Sequence, residues 1–170
     1  MYRHILIPTD GSELAEHGVV HGLALAKSLG AKVSVIFVVE PFSEMTGRFL
    51  EAVARYAELR KEQATSALDR AANAAKEAGL SCETIQVENE QPHQAIIAAA
   101  EDKGCDLIVM SSHGRSGLSA LLIGSVTNKV LTHAKTPYWF VNECADRSMG
   151  QINAPEIMPG NGMFTACPAA

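Results

Sequence analysis

The segment from Gly124 to Thr127 combines residue types that suit the binding of a phosphate group. A glycine lets the backbone approach a ligand closely, and Ser125 stands where a helix is predicted to begin. The free N–H groups and the positive dipole end of a helix N-terminus attract anions, and the hydroxyls of Ser125 and Thr127 would add donors. The alternative is that Ser125 merely caps its helix, and these residues alone leave that alternative open.

A polar loop precedes this segment and follows the apolar run CDLIVM. Gly114 in the loop suits a backbone that folds over phosphates. Arg115 either approaches a phosphate or is solvated, and His113 either contacts a phosphate or is an ordinary polar residue. The loop is therefore a candidate phosphate cradle, and its alternative is an ordinary connection between a strand and a helix.

Asp10 follows the first apolar run of the chain and carries the candidate carboxylate. This carboxylate could accept a hydrogen bond from a ribose hydroxyl, bind backbone N–H groups or hold Mg²⁺ through oxygen. The alternative is an Asx-turn or a helix cap, which an aspartate at such a position also favours.

Strands and helices alternate along the predicted chain. Apolar runs without alternation indicate strands covered on both faces, and the shorter, alternating run at 81–87 indicates an edge strand. The predicted strands cover residues 4–7, 31–39, 81–87, 105–110 and 136–142. Apolar residues at helical spacing predict helices at 12–29, 50–78, 92–104 and 125–133. Ser12 is the candidate N-cap of the first helix, and Gly30 is its predicted C-terminal stop.

This alternation predicts an α/β fold with parallel strands joined by right-handed crossovers. Helices then cover both faces of an open sheet, and a ligand binds beyond the carboxyl ends of the strands, where strand order reverses. Asp10 and the 111–127 segment follow two strand ends that are expected to flank that crevice. Their predicted convergence favours the functional interpretation of both.

Composition disfavours several classes of function. The 170 residues suit one domain with a hydrophobic core, and a net charge of −5 without a basic run disfavours nucleic-acid binding. No apolar run reaches the roughly 18 residues of a transmembrane helix, so no membrane association is expected. The N-terminal apolar run is too short for a signal peptide, which favours the cytoplasm.

Common catalytic and phosphate-binding motifs are missing from the sequence. It contains no GxxxxGK[ST], no GxGxxG after the first strand and no GxSxG. The cysteines form no CxxC pair or Cys/His cluster, which disfavours a zinc site, and Cys105 is interpreted as a core thiol. No residue is assigned a catalytic role.

The combined pattern resembles the universal stress protein family over residues 1–142. Nucleotide-binding members of that family carry G-x2-G-x9-G-[ST] after the fourth strand, and PTDGSE here resembles their first loop. Ser111 stands at the first glycine of the motif, Gly114 matches the second, and Gly124 with Ser125 match its end.

The resemblance implies an adenine-nucleotide site with ATP and Mg²⁺ as cofactors, and Asp10 as an indirect contact for the metal. Pro8, Thr9 and Asp10 would line adenine and ribose. Val38 would meet adenine through its backbone, and Met110 would pack nearby. Ribose and phosphates would be held by Gly114, Gly124, Ser125, Val126 and Thr127, and the predicted nucleotide-binding set is completed by Ser111, His113 and Arg115.

The resemblance also implies an architecture and an assembly. The family fold is a five-stranded parallel sheet between helices, Rossmann-like and of the adenine nucleotide alpha hydrolase type, with strand order 3-2-1-4-5. Residues 143–170, which contain several prolines and glycines, are predicted to form a flexible tail outside this domain. Family members commonly form homodimers through the last strand, and an exposed apolar edge offers a physical motive for that pairing. In this chain the last strand holds Tyr138, Trp139, Phe140 and Val141.

The function expected on these grounds is a stress-response sensor or regulatory module that binds ATP. Hydrolysis is expected to be slow or absent, so that the chain is at most a weak ATPase, and an unknown protein partner is expected. Two alternatives remain open. One is a family member that does not bind ATP and acts through dimerisation and protein partners; the other is a slow nucleotide hydrolase.

Overall fold

The computed structural model describes residues 2–41, 50–111, 124–141 and 162–164. The strands, in chain order β1 to β6, are His4–Thr9, Lys32–Val39, Cys82–Glu88, Leu107–Ser111, Tyr138–Val141 and Gly162–Phe164. The helices, in chain order α1 to α4, are Glu13–Leu29, Leu50–Glu77, Pro92–Asp102 and Ser125–His133. Strands and helices alternate from β1 to β5, as the sequence predicts.

The strands found in the described residues form one parallel sheet in the order β3-β2-β1-β4-β5-β6. The predicted order 3-2-1-4-5 is therefore confirmed, and β3 lies at an edge as its alternating sequence indicates. From β1 the chain progresses outward through β2 to β3, whereas β4 lies on the other side of β1. The strand order thus reverses between β1 and β4, which leaves a crevice at their carboxyl ends.

Two hydrophobic clusters cover opposite faces of the sheet, because successive side chains of a strand point to opposite faces. On β1, Ile5 and Ile7 pack with residues of α1 and α2, whereas Leu6 packs with residues of α3 and α4. All three side chains are fully buried. Burial on both faces explains why the apolar runs in the sequence do not alternate.

Helix α1 begins and ends at the predicted signals and lies close to the sheet. Ser12 is the N-cap, and its Oγ accepts a hydrogen bond from the Ala15 backbone N–H at 3.2 Å. Gly30 ends the helix with a φ of 64°, a left-handed conformation that favours glycine. Gly22 permits the close approach to β1, since a Cβ there would lie 2.5 Å from Ile7 Cδ1.

The tail contributes one short strand that the sequence did not predict. This strand, β6, pairs with β5 in parallel, with Met163 opposite Trp139. The predicted division into a domain at 1–142 and a flexible tail at 143–170 stays a prediction, because 162–164 is the part of the tail that the structure describes.

Cys105 is buried beside the start of β4, and burial raises the pKa of its thiol to about 11, with the nearby Asp106 carboxylate adding to the rise. A thiol with so high a pKa stays protonated at neutral pH, which agrees with the interpretation as a core residue. Within the described ranges, no helix has the length and apolar character needed to cross a bilayer.

Candidate functional site

The candidate site lies at the carboxyl ends of β1, β2 and β4. Thr9 ends β1 and Asp10 follows it, Val38 lies one residue before the end of β2, and Ser111 ends β4. Gly124 precedes the first residue of α4. The sheet brings the strand ends together because parallel strands finish at the same edge, and β1 and β4 flank the reversal of strand order.

The residues predicted to lie near adenine form the apolar part of this site. Pro8, Thr9 and Met110 are buried, and Val38 is half-buried. Met110 and Val38 belong to the same hydrophobic cluster, on the face of the sheet that α3 and α4 cover. The structure therefore places all four residues near the carboxyl ends of three neighbouring strands, β2, β1 and β4.

Asp10 forms an Asx-turn, which the sequence analysis gave as the alternative to a contact with a ligand. Its Oδ1 accepts hydrogen bonds from the Ser12 backbone N–H at 3.0 Å and from Ser12 Oγ at 2.6 Å. Thr9 Oγ1 accepts a hydrogen bond from the Gly11 backbone N–H at 3.2 Å, and Gly11 has a φ of 75°. Turn formation and ligand binding are compatible, because an ionised carboxylate offers about four acceptor positions. The turn fixes the direction in which the carboxylate faces.

A cleft of about 490 Å³ opens between this turn and α2. Its volume lies within the usual range for small-molecule sites, which begins at about 300 Å³. Arg70, the cationic residue of its lining, forms an ion pair with Glu16, with Nη2 2.5 Å from Oε1. The cleft is lined by Asp10, Gly11 and Ser12 from the turn and by Leu59, Glu62, Gln63, Ser66 and Arg70 from α2.

Sequence reasoning missed the α2 side of this cleft. The lining residues recur every three or four positions, which places them on one face of the helix. That polar face was a usable signal, but the sequence does not show which loop the face lies against. Because two carboxylates line the cleft and its arginine already pairs with Glu16, the cleft suits a group that donates hydrogen bonds better than it suits phosphates.

Among the residues that the structure describes, no side chain caps the N-terminus of α4, and Ser125 is not its N-cap, so the interpretation of Ser125 as a mere helix cap is wrong. Gly124 is the N-cap, with φ −56° and ψ 147°, and Ser125 is the exposed first residue of the helix. The first turn of α4 contains no acidic residue. By contrast, the N-terminus of α1 is capped by Ser12 and carries Glu13 and Glu16 in its first turn. An anion is therefore favoured at α4 and disfavoured at α1.

Thr127 ties the start of α4 to the end of β4. Its buried Oγ1 donates a hydrogen bond to the Ser111 carbonyl oxygen at 3.2 Å. The hydroxyl that was a candidate phosphate donor therefore already has an acceptor within the protein. The bond positions the uncapped end of the helix beside the crevice.

Ser111 is a strand residue in register with Val141 of β5. Extended backbone accepts any L-residue, so a serine fits where the family motif has a glycine. Its backbone lies close to α1, because a Cβ at Gly18 would lie 3.0 Å from the Ser111 nitrogen. The close contact is permitted by the glycine on the helix and does not require a glycine on the strand.

Three predicted site residues lie outside the described residues: His113, Gly114 and Arg115. The other predicted residues are brought to one edge of the sheet, on β1, β2, β4 and α4. Within the described residues, no group of three or more His, Cys, Asp or Glu side chains is arranged to hold a metal ion.

A parallel sheet with helices on both faces and a reversal of strand order between β1 and β4 defines a Rossmann-like α/β domain. The family model of the universal stress protein family matches residues 1–142. The chain belongs to the universal stress protein family.

Individual relatives agree with this assignment. Universal stress protein MJ0531 of Methanocaldococcus jannaschii is 35% identical over 144 residues, which cover 84% of each chain. The solved structure of the hypothetical protein MJ0577 superposes with a TM-score of 0.74 at 29% identity, over 86% of this chain and 99% of that one. A universal stress protein solved in complex with cAMP superposes with a TM-score of 0.64 at 25% identity, over 83% and 97%.

Proposed function

We propose that this chain binds an adenine nucleotide at the carboxyl ends of β1, β2 and β4 and serves as a stress-response sensor or regulatory module. The observation that carries the proposal is the N-terminus of α4, which no described side chain caps and whose first turn has no acidic residue. Thr127 holds it against the end of β4, at the reversal of strand order. An anion-binding helix end beside a crevice lined by buried apolar residues suits a ligand that is charged at one end and flat and apolar at the other.

The phosphates bind at the start of α4 in this proposal. Gly124 allows the ligand to approach the backbone, and the N–H groups of Ser125 and Val126 donate to phosphate oxygens. The Ser125 hydroxyl is exposed and adds a donor. The motif implies that Gly114 also holds the phosphates, and His113 and Arg115 are further candidate contacts from the same part of the sequence.

Adenine and ribose bind on the β1 and β2 side. The backbone of Val38 meets the adenine edge, while Pro8 and Met110 supply apolar surface. The Asp10 carboxylate, whose orientation the Asx-turn fixes, accepts a hydrogen bond from a ribose hydroxyl. The cAMP complex of a relative at 25% identity supports an adenine nucleotide as the ligand class.

The nucleotide is ATP with Mg²⁺, and hydrolysis is slow or absent, in this proposal. Mg²⁺ commonly binds through one or two carboxylates together with the phosphates of its nucleotide, so the Asp10 carboxylate fits its preference for oxygen ligands. When bound, the ion would neutralise phosphate charge. The proposed regulatory assembly is a homodimer through β5, at Tyr138, Trp139, Phe140 and Val141, together with a protein partner.

The decisive variant is Gly124→Asp in the full-length chain. The backbone angles of Gly124 are open to any L-residue, and aspartate is a preferred N-cap, so the variant should be at least as stable as the wild type. Its carboxylate would nevertheless occupy the phosphate position and repel the ligand. We expect calorimetric titration with ATP and Mg²⁺ to show an affinity at least about tenfold lower, a change of about 1.4 kcal/mol.

The matched control is Asn128→Asp, which adds the same charge at an exposed position one turn along α4. We expect it to weaken binding less than Gly124→Asp does. Both proteins and the wild type must first be freed of co-purified nucleotide. Unchanged affinity in a folded Gly124→Asp protein would contradict the phosphate position, and a nucleotide-free wild type that binds neither ATP nor cAMP would contradict the proposed function as a whole.

A further inference from the structure

The tail strand β6 occupies the side of β5 that faces away from β4. Its three residues pair in register with Tyr138, Trp139 and Phe140, and β5 is therefore an inner strand in this structure. Twenty residues, 142–161, separate the two strands in the sequence. This is enough chain for a parallel return, which needs about a dozen residues or more.

We propose that residues 162–164 act as an intramolecular edge strand, which must leave β5 before a second copy of this chain can add its own β5 there. One side of a strand presents a single row of N–H and C=O groups, so that two neighbours cannot use it at once. The tail would thereby set the balance between monomer and dimer. The inference rests on the homodimer through β5 that is proposed above.

The length of β6 suits a strand that can be displaced. Its described residues, Gly162–Phe164, pair with three of the four residues of β5. Short strands contribute few ladder hydrogen bonds. A strand as long as β5 itself, from a second copy, would pair with more of that edge.

β6 lies beyond the part of the chain that the family model matches. The family match ends at residue 142, and the superposition with MJ0577 covers 99% of that chain but only 86% of this one. Nearly the whole of that relative is thus matched by part of this chain. An edge strand formed by residues 162–164 would therefore distinguish this chain from relatives that end with the family domain.

Trp139 provides a second observation at the same strand. Its indole Nε1 is buried and has no hydrogen-bond partner in the part of the chain that the structure describes. A buried donor without an acceptor lowers stability. The ring packs against the hydrophobic cluster on the α1 and α2 face of the sheet, so that its emission is sensitive to a change at β5.

The test uses a full-length double variant, Met163→Pro with Phe164→Pro. In a parallel strand, every second backbone N–H donates to the strand on one side. Proline has no backbone N–H, so prolines at both 163 and 164 remove the one that donates to β5, whichever of the two residues carries it. The matched control is Met163→Val with Phe164→Val, which keeps both N–H groups and favours strand conformation. Sedimentation velocity over a range of concentrations measures the dimer dissociation constant. Trp139 is the only tryptophan of the chain, so its emission reports on β5.

We expect the wild type and the valine control to be mostly monomeric and the proline variant to dimerise at least about tenfold more tightly, with a concentration-dependent change in Trp139 emission. Equal dimerisation in all three proteins would show that β6 does not compete with a second copy, and it would leave the proposed homodimer unaffected. Monomers throughout would overturn both the inference and the proposed homodimer. Altered Trp139 emission in a proline variant that stays monomeric would show that β6 covers β5 but that its removal does not let a second copy bind, which also overturns the inference.

Discussion

Thr127 contributes both to the stability of the fold and to the geometry of the candidate site. Its buried hydroxyl donates to the Ser111 carbonyl oxygen. Replacing it with valine removes the donor while keeping the shape of the side chain. We expect Thr127→Val to lower the free energy of unfolding by about 1 kcal/mol in urea denaturation, which is the usual net worth of such a bond.

The same change should also weaken the proposed nucleotide binding, because the start of α4 would no longer be held against β4. Thr127→Ser is the control, since it keeps the hydroxyl and loses only a methyl group. A valine variant with lower stability and unchanged affinity would show that the bond supports the fold alone.

At the scale of elements, the contact of α1 with the end of β4 decides how the site is held. A Cβ at Gly18 would lie 3.0 Å from the backbone nitrogen of Ser111, which lies in an inner strand and has little freedom to move. We expect Gly18→Val to lower the free energy of unfolding by about 1–3 kcal/mol through overpacking, although valine is a better helix residue than glycine. Urea denaturation measures the loss.

Ala24→Val is the control for this change, because Ala24 is an exposed residue of the same helix. It should cost only the difference in helix propensity, about 0.5 kcal/mol. If Gly18→Val were as stable as the wild type, the close approach of α1 to β4 would not exist in solution.

At the scale of the whole molecule, the stability of the chain should depend on pH through His93. This buried side chain lies on α3, and its ring centroid is 5.8 Å from that of His133 on α4. Burial lowers the pKa of His93 below its ordinary 6.5, and the charges of Lys129 and His133 lower the pKa further. The unfolded chain therefore takes up a proton at a higher pH than the folded chain does.

It follows that the contribution of His93 to stability is fully present above pH 6.5 and is lost as the pH falls from there to the lowered pKa. We expect His93→Leu to flatten the fall in the free energy of unfolding over this window, as measured by urea denaturation at a series of pH values. His21→Leu, at an exposed position, should keep the wild-type slope. Identical slopes for wild type and His93→Leu would contradict the prediction.

Much of the fold could be predicted because its signals are local. Unalternating apolar runs predicted strands covered on both faces, and Ile5, Leu6 and Ile7 are fully buried against helices on the two sides. Ser12 and Gly30 marked the two ends of α1, since a capping hydroxyl and a left-handed glycine act through bonds a few residues away. The strand order came from the family motif and not from these local patterns.

The sequence by itself thus determined the alternation of elements, the ends of the best-marked helix and the segments that meet at the carboxyl edge of the sheet. Only the tertiary structure decided which residues far apart in the sequence contact one another. It showed that Gly124 and not Ser125 caps α4, that Thr127 bonds to Ser111, that a face of α2 lines the cleft, and that β6 lies on β5. These features depend on which surfaces are brought together by packing, and residue types leave that open because the same polar side chain can bond to its own turn, to a distant strand or to a ligand.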